Sequence, residues 1–335
     1  MSTKVAINGL GRIGRAILKL AIDEPSIELI AVNDLVDVEN LAYLLRFDTA
    51  YGRYSKPVVT DGVDLVVAGR KLRTLSSRDP LDLPWKELAV ELVFECTGAL
   101  TRREDLEKHV RAGARIVLLS APPKGEGVEM VVHGVNMSEG TPAIISCASC
   151  TTNCITPIVE VIGRRIGFQK AVMTTVHAYT SSQSIIDGPS KRFRRGRAAA
   201  ANLVPATTGA AHATTRALPE YAGRFDGIAI RAPIPVGSIA DITFVTSRKT
   251  TVDEVNQILT EEADTERYTG VLGVSHDPLV SSDIVGDPRA SIVDLELTKV
   301  IDGDLVKVMS WYDNEWGYAN QIVRAALSMS RGESR

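Results

Sequence analysis

The chain has 335 residues, 44% hydrophobic and 24% charged, and a net charge of −3. This is ordinary globular composition, long enough for two domains of about 150 residues each, and its near-neutral balance gives no general attraction to nucleic acid or to an acidic membrane surface. No apolar run approaches the ~18 residues of a membrane span, no cleavable signal precedes the first strand, and four cysteines are too few for a disulfide scaffold, so a cytoplasmic protein with reduced thiols is expected.

Lys4-Val5-Ala6-Ile7-Asn8 reads as a short apolar strand, followed at once by Gly9-Leu10-Gly11-Arg12-Ile13-Gly14 and an amphipathic helix over residues 15–22. The spacing is G-x-G-x-x-G between a strand and a helix. Glycine there permits the turn and the close approach of backbone to a pyrophosphate, and the helix N-terminus supplies an anion site. A second apolar strand, Leu29-Ile30-Ala31-Val32, ends at Asn33-Asp34, 20 residues beyond Gly14, where a carboxylate can bond the ribose hydroxyls of a dinucleotide. A carboxylate that accepts from a 2′-hydroxyl repels a 2′-phosphate, so Asp34 favours NAD over NADP.

Strand and helix then alternate: a helix over 37–45, short strands within 63–75, a strand over 91–98, a helix over 103–110, a strand over 115–120, and further strands near 130–135 and 143–145. That alternation predicts a doubly wound, mostly parallel α/β sheet, whose ligands bind at the carboxyl ends of the strands. Gly9, Asp34, Thr97 and Ser120 all fall near such ends.

The run Ser146-Cys147-Ala148-Ser149-Cys150-Thr151-Thr152-Asn153-Cys154 stands at the junction between the strand at 143–145 and a helix expected to end near Gly167. A thiol in the first helical turn faces unpaired N–H groups and the positive end of the helix dipole, which favour the thiolate. Three uses remain open from these residues alone: an activated nucleophile, a metal or redox Cys-x-x-Cys pair, and buried small apolar side chains. A strand over 171–176 follows and ends at His177, placed to return toward Cys150, where an imidazole could handle its proton and that of a substrate hydroxyl.

Residues 181–203 form a polar loop carrying Lys191, Arg192, Arg194, Arg195 and Arg197. With little aromatic interleaving and no recognised binding motif, it reads as phosphate handling or subunit contact rather than nucleic-acid binding. Thr207-Thr208-Gly209 opens a helix over 210–218, a second helix start suited to an anion. Strand-like runs at 227–233 and 240–245, a helix over 252–263, and a hairpin of 294–298 with 305–309 about Asp302-Gly303-Asp304 predict a largely antiparallel sheet with helices on one face. A last helix follows Tyr318.

Four motifs in order, Ile7–Gly14, Ala148–Cys154, His177-Ala178-Tyr179-Thr180 and Trp311–Tyr318, span nearly the whole chain. The chain resembles in them the phosphorylating glyceraldehyde-3-phosphate dehydrogenases. The resemblance implies that Cys150 is the nucleophile and His177 its base. It implies that Thr180 and Arg231 hold the substrate's phosphate, that Ser149, Thr151, Thr208 and Gly209 hold inorganic phosphate, and that Arg195 assists. Cofactor contacts carried over are Gly9, Gly11, Arg12, Ile13, Gly14, Asp34, Arg78, Thr97, Ser120, Asn314 and Tyr318. A homotetramer is implied, with residues 1–149 and 315–335 forming the dinucleotide-binding domain and 150–314 an α+β catalytic domain. Erythrose-4-phosphate dehydrogenase and Cys-dependent semialdehyde or acyl-phosphate reductases share the thiol and cofactor logic and are the alternatives.

Two positions depart from the family pattern. Cys147 makes a Cys-x-x-Cys pair with Cys150, whose oxidation would reversibly block the nucleophile. Metal is not expected, since Cys154 is the only other nearby thiol and no His lies at ligand spacing. Gly188, in Asp187-Gly188-Pro189, replaces a bulkier residue near where the family places the adenine ribose. Partial acceptance of NADP is therefore expected.

Overall fold

The structure is a computed structural model that describes residues 2–136 and 142–331. The described chain divides into two units, residues 2–133, 142–148 and 319–331 in the first, and 134–136 and 149–318 in the second. Ser149 and residues 315–318 thus stay with the second unit, a shift of one and four residues from the expected boundaries.

The first unit is built on a nine-stranded sheet in the order Glu129–Met130, Ile144–Ser146, Ile116–Leu119, Leu92–Glu95, Thr3–Asn8, Ile27–Asn33, Arg70–Leu75, Asp64–Val67, Val58–Asp61. The first seven strands are parallel and the last two antiparallel. Strands covered on both faces read as near-continuous apolar runs, and Leu92–Glu95 and Ile116–Leu119 are buried at every position, with Glu95 the one charged side chain among them. The order reverses between Thr3–Asn8 and Leu92–Glu95, and ligands of doubly wound sheets bind at the carboxyl side of that point. The helix Arg12–Ala21 turns Ala16, Ile17, Leu18 and Ala21 inward. Asp37 caps Val38–Arg46, its carboxylate accepting from the Asn40 N–H at 2.9 Å, which accounts for the helix starting there. The strand expected near 130–135 is only Glu129–Met130. Pairing ends once Val131 N–H has reached Ser146 O, the last residue of the neighbouring strand.

The second unit carries an eight-stranded sheet whose main path is Val204–Thr207, Phe225–Ala232, Phe168–Ala178, Ser238–Thr246, Leu305–Tyr312, Ser291–Asp294, Leu272–Ser275. Most pairs are antiparallel, and Phe168–Ala178 with Phe225–Ala232 is a parallel exception. The helix Cys150–Arg165 buries Ile155, Ile158, Val159 and Ile162 in one core with Met173, Ile242, Phe244, Val306 and Val308. The hairpin forms at Asp302-Gly303, both at positive φ, but the strand entering it is Lys299–Ile301 rather than 294–298. Residues Leu295–Leu297 instead form a 3-10 turn, and Ser291–Asp294 pairs farther along the same partner strand.

Candidate active site

Cys150 is the first residue of its helix. Ala148 before it sits at φ 57°, a left-handed conformation costly for a residue with a Cβ, and its N–H donates to Ser146 Oγ at 3.0 Å. Ser149 is the N-cap, with its hydroxyl accepting from Thr152 N–H at 3.2 Å. This tight strand-to-helix turn leaves Cys150 half-buried at the helix start. Cys154, one turn later, is fully buried, its thiol 3.8 Å from Ser291 Oγ and 3.9 Å from Ser310 O, and burial pushes it up to about 12. Cys147 is also buried and pushed up to about 12, which keeps it protonated and works against the expected exchange with Cys150.

His177 lies within its strand rather than after it, and its register partner on the parallel neighbour is Arg231. The pairing places both side chains beside the thiol: His177 Nε2 is 3.4 Å from Cys150 Sγ. Nδ1 has two neighbours of opposite kind, Ala178 O at 2.6 Å and Arg231 Nη1 at 2.7 Å. A proton on Nδ1 donates to the carbonyl and leaves Nε2 an acceptor toward the sulfur. Without that proton Nδ1 accepts from Arg231, and Nε2–H points at the sulfur. The two tautomers carry the same number of protons and differ in whether Nε2 accepts from Cys150 or donates toward it. Burial, reinforced by Arg231, pushes the imidazole down to about 3. Burial raises the thiol, with Arg231 drawing it back. The sequence suggested a thiolate beside an imidazolium; here burial opposes the charged form of both groups, and a cation rather than an acid faces the ring.

Around this pair lies a group of donors without acids. Arg195 Nη1 donates to Ser182 Oγ at 2.5 Å, and Ser182 Oγ is 2.8 Å from Thr180 Oγ1. Arg195 and Arg231 are both pushed below their ordinary range by burial, and Arg195 further by Arg231 and Arg192. Their hydrogen-bond partners here are a hydroxyl, an imidazole and a carbonyl, and the Nε of each is buried without a partner. Mutually repelling guanidiniums paired only with neutral groups suit an anion. Thr208 Oγ1 accepts from Ala210 N–H at 3.2 Å, and exposed Gly209 caps Ala210–Ala217, a helix joined to the cysteine helix by Thr156 and Thr214 hydroxyls 2.9 Å apart. Thr151 is placed differently: it is buried, its hydroxyl 2.8 Å from that of Tyr312.

In the first unit the three glycines have separate tasks. Gly9 adopts φ 92°, a Cβ on Gly14 would stand 1.9 Å from Gly9 O, and a Cβ on Gly11 would meet nothing within 4 Å. Only Gly11 borders open space, the position where backbone can approach a ligand. Asp34 accepts from Leu10 N–H at 2.7 Å, bringing its carboxylate to the glycine turn. Arg12 is ion-paired with Asp48 at 2.5 Å, Ile13 and Ser120 are half-buried, and Thr97 and Arg78 are exposed. In the second unit buried Asn314 accepts at Oδ1 from Ser238 Oγ at 2.9 Å and Gly237 N–H at 3.2 Å, which leaves its amide N–H₂ to donate elsewhere, while Tyr318 is buried in the last helix. A turn open only at Gly11 with a carboxylate beside it suits a dinucleotide.

Residues 3–103 match the family model for the glyceraldehyde 3-phosphate dehydrogenase NAD binding domain, and residues 149–314 that for the C-terminal domain. The chain belongs to the glyceraldehyde-3-phosphate dehydrogenase family. It is 46% identical to the glyceraldehyde-3-phosphate dehydrogenase of Zymomonas mobilis over 99% of both chains. It is 46% identical to that of Geobacillus stearothermophilus over 99% of this chain and 100% of the relative, and 44% identical to glyceraldehyde-3-phosphate dehydrogenase 1 of Bacillus subtilis over 99% of both. Membership carries with it the NAD cofactor and the oxidoreductase class.

Two residues that shape this site escaped the sequence reading. Tyr312 is buried with its hydroxyl 2.8 Å from both Thr151 and Thr175, and its ring stands edge-on to His177 at 6.0 Å. Ser238 joins Asn314 to the histidine strand by accepting from Ala178 N–H at 3.1 Å. Tyr312 lies in a motif already singled out, but its partners Thr175 and Thr151 are 137 and 161 residues away, and spacing alone carries no such signal.

Proposed function

We propose that the chain catalyses the phosphorylating oxidation of D-glyceraldehyde 3-phosphate to 1,3-bisphosphoglycerate. The observation that carries this reading is Cys150 Sγ at 3.4 Å from His177 Nε2, with Arg231 in register beside the imidazole. Cys150 adds to the aldehyde carbon while its proton passes through His177 to the new hydroxyl, giving a thiohemiacetal. His177 then takes that hydroxyl proton. NAD, when bound, supplies the hydride acceptor that makes the oxidation to a thioester possible. Phosphate attacks the thioester carbon, the sulfur leaves, and the acyl phosphate retains the activation that water would have discharged.

Thr180, Arg231 and Arg195 serve the substrate's phosphate, and Ser149, Thr151, Thr208 and Gly209 serve the attacking phosphate, Thr151 through the position Tyr312 gives it. Gly9, Gly11, Arg12, Ile13, Gly14, Asp34, Arg78, Thr97 and Ser120 hold the dinucleotide, and Asn314 and Tyr318 serve the nicotinamide. The enzyme acts as a cytoplasmic homotetramer in glycolysis and gluconeogenesis. No described helix is long and apolar enough to cross a membrane. NAD is preferred and NADP partly accepted: Asp34 reaches the glycine turn, while Gly188 has no side chain, and exposed Lys191, Arg192 and Arg194 follow it. Initial rates with NAD and NADP on glyceraldehyde 3-phosphate and erythrose 4-phosphate test the assignment. A higher kcat/KM for the tetrose would overturn the substrate, and a higher one for NADP would overturn the cofactor preference.

A further inference from the structure

The carboxyl ends of three adjacent parallel strands are tied by a row of buried polar side chains that the reaction itself does not use. Asn33, Asn8 and Glu95 end the strands Ile27–Asn33, Thr3–Asn8 and Leu92–Glu95, and the sheet register places them side by side. They are 4%, 2% and 0% exposed. The polarity of the row is fixed from both ends. At one end the backbone of Ser77 sets Asn33: Ser77 N–H donates to Asn33 Oδ1 at 2.8 Å, and Asn33 Nδ2 donates to Ser77 O at 2.9 Å. Asn33 Nδ2 also donates to Asn8 Oδ1 at 2.7 Å, so Asn8 must turn its Nδ2 to Glu95, which it meets at 2.5 Å.

At the other end Trp85 sets fully buried His109. The indole N–H donates to His109 Nδ1 at 2.9 Å, so the imidazole carries its proton on Nε2 and donates it to Glu95 Oε2 at 3.1 Å. Glu95 Oε1 accepts from both the N–H and the hydroxyl of Thr97. Glu95 therefore accepts at both oxygens, at Oε2 from Asn8 and His109 and at Oε1 from Thr97. What it holds is Thr97, and the Thr97 backbone lies against the glycine turn: a Cβ on Gly9 would stand 2.7 Å from Thr97 N.

We infer that the row Asn33–Asn8–Glu95–His109–Trp85 is a positioning array for the dinucleotide, holding Thr97 and Gly9 in the geometry that receives NAD. The inference rests on the glycine turn being the dinucleotide site. In Glu95→Gln an amide with its oxygen toward Thr97 turns its N–H₂ on Asn8 Nδ2 and His109 Nε2–H, two donors that cannot reverse because Ser77 and Trp85 fix them. A buried donor facing donors loses the full hydrogen bond. Glu95→Gln is expected to weaken NAD binding about tenfold and Trp85→Phe about threefold, with kcat at saturating NAD and the KM values for aldehyde and phosphate within about twofold of the parent.

The double variant separates this array from a merely structural role. Without the indole, His109 can move its proton to Nδ1 and accept from the glutamine at Nε2. Adding Trp85→Phe should therefore restore part of the affinity lost in Glu95→Gln instead of compounding the loss. The measurement is calorimetric titration of the full-length parent and variants with NAD, alongside steady-state constants. Unchanged NAD affinity in folded Glu95→Gln, losses that multiply in the double variant, or parallel changes in every constant with Tm would overturn the inference. If Glu95→Gln does not fold, unchanged NAD affinity in Trp85→Phe overturns it. A parent chain that does not take up NAD would overturn the reading of the glycine turn and the array with it.

Discussion

The turn after Thr3–Asn8 and the turn before Cys150–Arg165 are both junctions from a buried parallel strand into a helix, yet they work through different atoms. The first offers backbone: Gly9 at φ 92°, an open flank at Gly11, and a contact at Gly14 too close for any side chain. The second offers a side chain, with Ala148 bent at φ 57° and Ser149 capping the helix so that the thiol of Cys150 stands at its start. A backbone site is complete within a few residues of sequence. A side-chain site needs partners from elsewhere, and here they arrive through sheet register, His177 opposite Arg231, and through Tyr312. The same comparison holds within one helix: Cys150 and Cys154 are a turn apart, and only the first has an imidazole beside it.

The largest effect should separate those two thiols. Cys150→Ser is expected to lower kcat by about 10⁴ or more, while Cys154→Ala keeps kcat within a fewfold of the parent at a modest cost in Tm. Comparable losses in both would place the chemistry elsewhere on the helix. His177→Asn should come next, with a fall of about 10²–10⁴ in kcat, read in single-turnover experiments that isolate the oxidation step.

The glycine turn gives a smaller, graded contrast. Gly14→Ala forces a Cβ to 1.9 Å from Gly9 O, so the turn must move, and a loss of about 1–3 kcal/mol in stability together with NAD binding is expected. Gly11→Ala meets no protein atom and should leave Tm nearly unchanged while weakening NAD binding. Titration with NAD and thermal denaturation check both, and equal losses of Tm in the two would erase the distinction.

The fold and the site were legible to different depths for reasons these examples show. Glycine spacing, the carboxylate 20 residues on and the strand-helix alternation are local patterns, and each stands where the sequence put it, with Asp34 reaching Leu10 N–H. The placement of Cys150 was legible because helix start and cysteine coincide. Its protonation was not, since burial of His177 beside Arg231 depends on three strands packing together. The hairpin strand moved to Lys299–Ile301 because residues 291–294 pair elsewhere on the same partner, a competition that propensity does not register. The Asn8, Glu95 and His109 row drew no notice because Asn8 and Glu95 are single polar side chains ending apolar strands and His109 lies in a charged helix, far apart in sequence.

The smallest effect follows from the imidazole. His177 is held below its ordinary value of 6.5, to about 3, by burial and Arg231. Between those values the unfolded chain binds a proton that the folded chain does not, so stability falls as pH drops through that window and this contribution is flat above it. Tm of the parent should decline more steeply from pH 7 to pH 5 than that of His177→Asn. Parallel slopes would mean that the ring is protonated in the folded protein.

The central claim is that Cys150 carries the acyl group as a thioester that phosphate alone releases efficiently. Mixing the enzyme with glyceraldehyde 3-phosphate and excess NAD in phosphate-free buffer should give a rapid burst of NADH of up to one per Cys150 and then near arrest, with full turnover restored on adding phosphate. Sustained turnover without phosphate, or no burst in a chain whose Cys150 is intact, would contradict it.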